Sequence, residues 1–146
     1  MTSQTPRALV LDDEPETVEL LRTSLGAMPF ETVLVERGID ALIAIFEGFR
    51  DERPFAVLVL DCALPHVDGF TVAKIVRMIE ATKLSTQQQA KIGFFTAFPE
   101  DVERSTLLQS VQADAYWRKP EDVNELPFLI ASWLKVEVRN TVSSGQ

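Results

Sequence analysis

The stretch Leu58–Phe70, LVLDCALPHVDGF, runs apolar up to one aspartate and then breaks into a loop holding proline and glycine. It extends an apolar run that starts at Phe55 (FAVLVL). A short continuous run of this kind marks a strand buried on both faces, as in a parallel sheet covered by helices. Asp61 stands at its end. A carboxylate there is costly to desolvate unless a partner compensates it.

The rest of the chain alternates around this strand. Arg7–Leu11 (RALVL) is a short apolar run ending in Asp12-Asp13. Glu14–Met28 carries Val18, Leu21 and Leu25 at helical spacing. Glu31–Glu36 reads as a strand, and Ile39–Phe49 as a helix with Leu42, Ile43 and Phe46 on one face. Asp68–Ile79 is a third helix, Lys91–Phe95 a fourth strand, Glu100–Val111 a fourth helix and Ala113–Trp117 a fifth strand. In the last helix Leu126, Leu129, Ile130, Trp133 and Leu134 share a face. Asn124 suits its N-cap, and Pro127 fits only the first turn. Lys83–Ala90 is a polar connection, and Arg139–Gln146 is a polar tail expected to fray.

Five strands alternating with five helices predict an α/β fold, a flavodoxin-like (βα)5 three-layer sandwich. Its parallel sheet would have strand order 2-1-3-4-5. One domain over 1–138 and a flexible tail over 139–146 follow from the single hydrophobic cluster. The 146 residues suffice for one real core, and 46% are hydrophobic. No apolar run reaches the roughly 18–20 residues of a membrane-spanning helix. MTSQTPR has no apolar signal region, so a cytoplasmic location is expected. The net charge of -8 argues against nucleic acid as a partner of this domain. The lone cysteine, Cys62, excludes an internal disulfide and reads as a packing residue.

In such sheets ligands bind beyond the carboxyl ends of strands, where strand order reverses. Here that point lies between strands 1 and 3, so Asp12, Asp13 and Asp61 meet there. Three clustered carboxylates repel one another. A hard divalent cation relieves this, and Mg²⁺ prefers oxygen ligands. Lys119 follows strand 5 at the same edge, and with Mg²⁺ it brings the formal charge of the cluster to zero. Thr96 ends strand 4 with a hydroxyl. Carboxylate, metal, lysine and threonine together suit a phosphoryl group, and a carboxylate can itself be the nucleophile.

Asp12-Asp13, Asp61 with Leu64-Pro65 and Asp68-Gly69, Thr96-Ala97 and Lys119-Pro120 resemble the receiver domain of bacterial response regulators, the CheY-like family. The resemblance covers about Arg7 to Lys135. It implies that Asp61 accepts a phosphoryl group from a histidine kinase or phosphotransfer protein. It implies Mg²⁺ held by Asp13, Asp61 and the Ala63 carbonyl, with Asp12 helping through water. Lys119 would pair with the phosphate, Thr96 would move toward it, and Tyr116 would switch rotamer. The Lys119–Pro120 bond is expected to be cis in this family. Ala63 and Phe98 occupy the positions that tune hydrolysis. The output surface would be helix 4, strand 5 and helix 5, meeting a downstream protein or a second copy, with Phe128 a spare apolar residue there.

Plainer readings exist for each residue. Asp12-Asp13-Glu14 also suits the acidic start of a helix. Thr96 suits a strand-end cap, and Tyr116 a half-buried strand aromatic. His66 reads as a solvated loop histidine, and Trp117 and Trp133 as core. Gln112 stands where receivers often carry glycine, so a left-handed backbone there would be strained. The chain reads as a stand-alone receiver or as part of a longer regulator with its output domain elsewhere. An aspartyl-phosphate phosphatase is a third reading. Such enzymes carry D-x-D after strand 1, whereas this chain has D-D-E. No turnover enzyme is therefore expected, only slow loss of the phosphoryl group.

Overall fold

The computed structural model describes residues 5–82, 89–119 and 121–138. Strands β1 (Arg7–Leu11), β2 (Glu31–Val35), β3 (Val57–Leu60), β4 (Lys91–Thr96) and β5 (Ala115–Arg118) alternate with five helices. These are α1 (Pro15–Gly26), α2 (Gly38–Arg50), α3 (Gly69–Thr82), α4 (Val102–Ser110) and α5 (Leu126–Leu134). All four strand pairings are parallel, in the order β2-β1-β3-β4-β5. The expected flavodoxin-like architecture is the one observed.

Side chains alternate across the sheet, so each strand feeds two cores. Leu9, Leu11, Leu58, Leu60, Ile92 and Phe94 face α2, α3 and α4. Ala8, Val10, Val57, Val59 and Phe95 face α1 and α5. The central strands β1, β3 and β4 are buried almost throughout, which is why they read as unbroken apolar runs. On β4, Gly93 leaves room for the Trp117 ring, which stacks on Trp133 at 4.9 Å between centroids. A Cβ at residue 93 would run into that ring. The two tryptophans are half-buried rather than fully core.

Several boundaries differ from the sequence reading. β3 starts at Val57, leaving Phe55 buried in the preceding loop. β5 is Ala115–Arg118, because Asp114 instead closes a turn onto Ile92. The N-cap of α5 is Glu125, not Asn124, and the helix is entered through a turn that bonds the Leu126 N–H to the Asp122 carbonyl. Pro127 does sit in the first turn. The largest correction is α2. Its buried residues are Ala41, Leu42 and Ile45, while Ile43 and Phe46 are 49% and 50% exposed. α2 is apolar on two sides, so periodicity alone could not choose the core face.

Gln112 has φ 54°, the left-handed backbone anticipated there. Arg77 of α3 holds this turn. It donates to the carbonyls of Val111 at 2.8 Å and Gln112 at 2.9 Å. Its remaining nitrogen binds Glu80 at 2.7 Å, and Glu80 accepts from the Ala90 N–H. Lys83–Gln88 of the polar connection, Pro120 and with it the expected cis peptide, and residues 139–146 lie outside the described residues.

Candidate functional site

The sheet ladder continues one residue past the strands and fixes the site backbone. The Asp12 N–H donates to Val35, the Asp61 N–H to Leu11 and the Lys119 N–H to Thr96, each at 2.9–3.0 Å. Asp12, Asp61, Thr96 and Lys119 are all buried, although polar side chains rarely are without partners. Below them Gly69 presses against the Asp61 carbonyl, where a Cβ would clash. The nucleophile candidate thus rides on a rigid strand end backed by α3.

Lys119 Nζ joins the two buried carboxylates. It lies 2.6 Å from Asp12 Oδ2 and 2.9 Å from Asp61 Oδ2. Burial would lower a lysine pKa, but these two carboxylates raise it, so the ammonium stays charged. Glu14 approaches the same ammonium at 3.4 Å and accepts from the Thr17 hydroxyl at 2.9 Å. By sequence pattern Glu14 belongs only to an acidic helix start. Its 105-residue separation from Lys119 hides the contact from any local pattern. The Phe95 ring lies 5.4 Å below Nζ.

Each carboxylate is also oriented from the backbone. Asp12 Oδ1 accepts from the Glu14 N–H at 2.9 Å, and Asp61 Oδ1 from the Ala63 N–H at 3.0 Å. Burial pushes the Asp12 carboxyl up to about 6, against the lowering effect of Lys119. Asp13 is exposed, yet one oxygen each of Asp12, Asp13 and Asp61 lies within 4.8 Å of the others. Asp12 Oδ2 is buried with an ion-pair neighbour but no directed hydrogen bond. An all-oxygen set with such an atom fits a hard cation such as Mg²⁺.

The remaining predicted residues surround this pocket differently. The Thr96 hydroxyl accepts from the Phe98 N–H at 3.4 Å. Tyr116 is turned to the Phe98 carbonyl, to which its hydroxyl donates at 2.7 Å. Phe98 and Ala63 are exposed beside the site. His66 is an exposed loop residue with φ 65°. Cys62 is half-buried against the α2–α4 core.

Residues 8–131 match the family described as the response regulator receiver domain. The chain belongs to that family. As a receiver domain it is 30% identical, over all 146 residues, to the sensor protein GacS of Pseudomonas syringae pv. syringae, of which it covers 15%. It is 32% identical over 145 residues to the probable transcriptional regulator ycf27 of Pyropia yezoensis. That match takes in 99% of this chain and 54% of ycf27. The receiver domain therefore spans about half or less of these curated relatives. The response regulator TrrA of Thermotoga maritima, solved in complex with Mg²⁺ and BeF, superposes with a TM-score of 0.65 at 30% identity. The match covers 88% of this chain and 98% of TrrA. Receivers of two-component systems are signalling domains, and the Asp12, Asp13, Asp61 pocket fits a phosphoacceptor site. Among the described residues no helix is long and apolar enough to cross a membrane.

Proposed function

We propose that Asp61 is the phosphoryl acceptor of this receiver and that a histidine kinase or histidine phosphotransfer protein is the donor. The observation that carries this is Lys119 Nζ bridging the buried Asp12 and Asp61 carboxylates. An Asp61 oxygen attacks phosphorus, and the P–N bond of the donor phosphohistidine breaks with its electron pair leaving on the imidazole. The Ala63 N–H holds the other Asp61 oxygen in place. Lys119 is already at the acceptor and can move onto a phosphoryl oxygen, stabilising charge there. Thr96, buried at the end of β4, supplies a hydroxyl donor once it turns from the Phe98 N–H.

Asp12, Asp13, Asp61 and the Ala63 carbonyl would hold Mg²⁺, which supplies charge neutralisation on the transferring oxygens. The phosphoryl group is lost slowly, since Ala63 cannot position a water and Phe98 is bulky. There is no enzymatic turnover. The receiver unit is 1–138, with 139–146 as a tail, and it works in the cytoplasm. The output face is α4, β5 and α5, contacting a downstream protein or a second copy when phosphorylated. A groove of about 320 Å³ beside Tyr116, Leu108 and Glu100, and an exposed Phe128, support this choice.

Acetyl phosphate with Mg²⁺ tests the acceptor by intact mass. One phosphoryl adduct is expected on the native chain and none on Asp61→Asn. A full adduct on that variant would overturn the assignment, and release of phosphate in large excess over protein would favour the phosphatase reading.

A further inference from the structure

Glu14 is the N-cap residue of α1, and its backbone there is extended. An acidic N-cap side chain ordinarily accepts from the free N–H groups of the first helical turn. Glu14 makes no such bond. Its carboxylate instead accepts from the Thr17 hydroxyl at 2.9 Å and lies 3.4 Å from Lys119 Nζ. Backbone bonds on both sides fix its direction. The Glu14 N–H donates to Asp12 Oδ1 at 2.9 Å, and its carbonyl accepts from the Val18 N–H at 2.9 Å. The side chain is 53% exposed, so it stands at the solvent edge of the site, one lysine away from the acceptor oxygen. We propose that Glu14 is a specificity residue for the phosphoryl donor: its carboxylate disfavours acyl phosphates relative to phosphoramidates, the class to which phosphohistidine belongs. This rests on Asp61 being the acceptor.

Asp12, Asp13, Asp61 and a divalent cation balance Lys119 to zero formal charge, and Glu14 adds one carboxylate beyond that balance. Among the described residues Lys119 is the cation paired with this cluster. Arg104, stacked on Phe98 beside the site, is already bound to Asp101 at 2.9 Å. One negative charge is therefore left uncancelled at the entrance. An acyl phosphate is a dianion at neutral pH. When an Asp61 oxygen forms the new bond to its phosphorus, the P–O bond breaks and the electron pair leaves on a carboxylate anion. A phosphoramidate carries a protonated nitrogen. With the same attack its P–N bond breaks, and the pair leaves on that nitrogen as neutral ammonia. An uncancelled carboxylate opposes the first donor and its anionic product more than the second.

Phosphorylation of the full chain by acetyl phosphate and by phosphoramidate at saturating Mg²⁺, followed by intact mass, tests this. Glu14→Gln keeps an acceptor for Thr17 and should raise the ratio of the acetyl phosphate rate to the phosphoramidate rate at least about threefold. The gain should shrink as salt is added. Glu14→Asp keeps the charge and should hold the ratio closer to native. By calorimetry, Glu14→Gln should also bind Mg²⁺ about threefold more weakly. A carboxylate acting through its charge moves these two readouts in opposite directions, whereas a loosened site would weaken both. An unchanged ratio, a gain indifferent to salt or an unchanged Mg²⁺ affinity would each overturn the proposal while leaving Asp61 as acceptor. A full adduct on Asp61→Asn, or no adduct from either donor on any of these proteins, would overturn the acceptor assignment and this inference with it.

Discussion

The Tyr116 hydroxyl donates a 2.7 Å hydrogen bond to the carbonyl oxygen of Phe98. This bond ties the ring to the loop that follows β4. Burial pushes the phenol up to about 12, so it remains a donor at any physiological pH. A net hydrogen bond contributes about 1 kcal/mol, or about fivefold in a two-state population. Tyr116→Phe should therefore shift the ring inward about fivefold before phosphorylation. Tyr116 is the chain's only tyrosine, so tyrosine ring labelling reads it in the native chain, and in the variant the ring at 116 is the one phenylalanine added to the native nine, read by phenylalanine ring labelling of both proteins. If beryllofluoride moves the native ring and leaves the variant's apo spectrum native-like, this bond does not hold the resting state.

Asp12 should make the metal-free protein less stable as pH rises. Its carboxyl titrates at about 6 in the fold against 3.8 ordinarily. The folded state thus binds this proton more tightly than the unfolded chain. Between those two values stability falls with rising pH, and the loss is complete above pH 6. Mg²⁺ requires the ionised carboxylate, so it should raise the melting temperature at pH 7 and hardly at pH 5. Melts of the native chain and Asp12→Asn, with EDTA or Mg²⁺, isolate the effect. The same slope in both proteins would exclude it.

Lys119→Met should be costly for folding. It leaves Asp12 and Asp61 buried without their shared cation, and breaking a buried ion pair costs about 3–5 kcal/mol. Mg²⁺ should recover part of that loss at pH 7. Urea unfolding with and without Mg²⁺ measures both. A variant as stable as the native chain without metal would mean the carboxylates relax into solvent.

Phe98 should slow loss of the phosphoryl group by limiting water access. Its ring is 45% exposed and stacks under the Arg104 guanidinium at 5.0 Å, so it is held in place. Phe98→Ala should shorten the phosphoprotein lifetime several-fold, followed by intact mass after removing the donor. A longer lifetime would contradict the shielding role.

The turn after α4 should respond oppositely to two substitutions. Gln112→Gly relieves a left-handed backbone and should stabilise by about 0.5–1 kcal/mol. Arg77→Ala removes the donors to the Val111 and Gln112 carbonyls and should destabilise by about 1–3 kcal/mol. Chemical denaturation checks both signs.

The fold was legible because its signals are local. Buried parallel strands must be apolar on both faces, so β1, β3 and β4 announced themselves, and the alternation with helices left one simple topology. Asp12, Asp13, Asp61, Thr96 and Lys119 could be gathered because each ends a strand and parallel strands end at one edge. What only the tertiary structure decided involves directions. Ile43 and Phe46 point outward because the sheet engages the other apolar side of α2. Glu14 reaches Lys119, Arg77 caps α4, and Tyr116 turns to Phe98, since each pairing joins segments far apart in sequence. A hydrophobic pattern specifies which residues avoid water, whereas a hydrogen bond or ion pair requires two groups within about 3 Å, a condition set by packing rather than by sequence spacing.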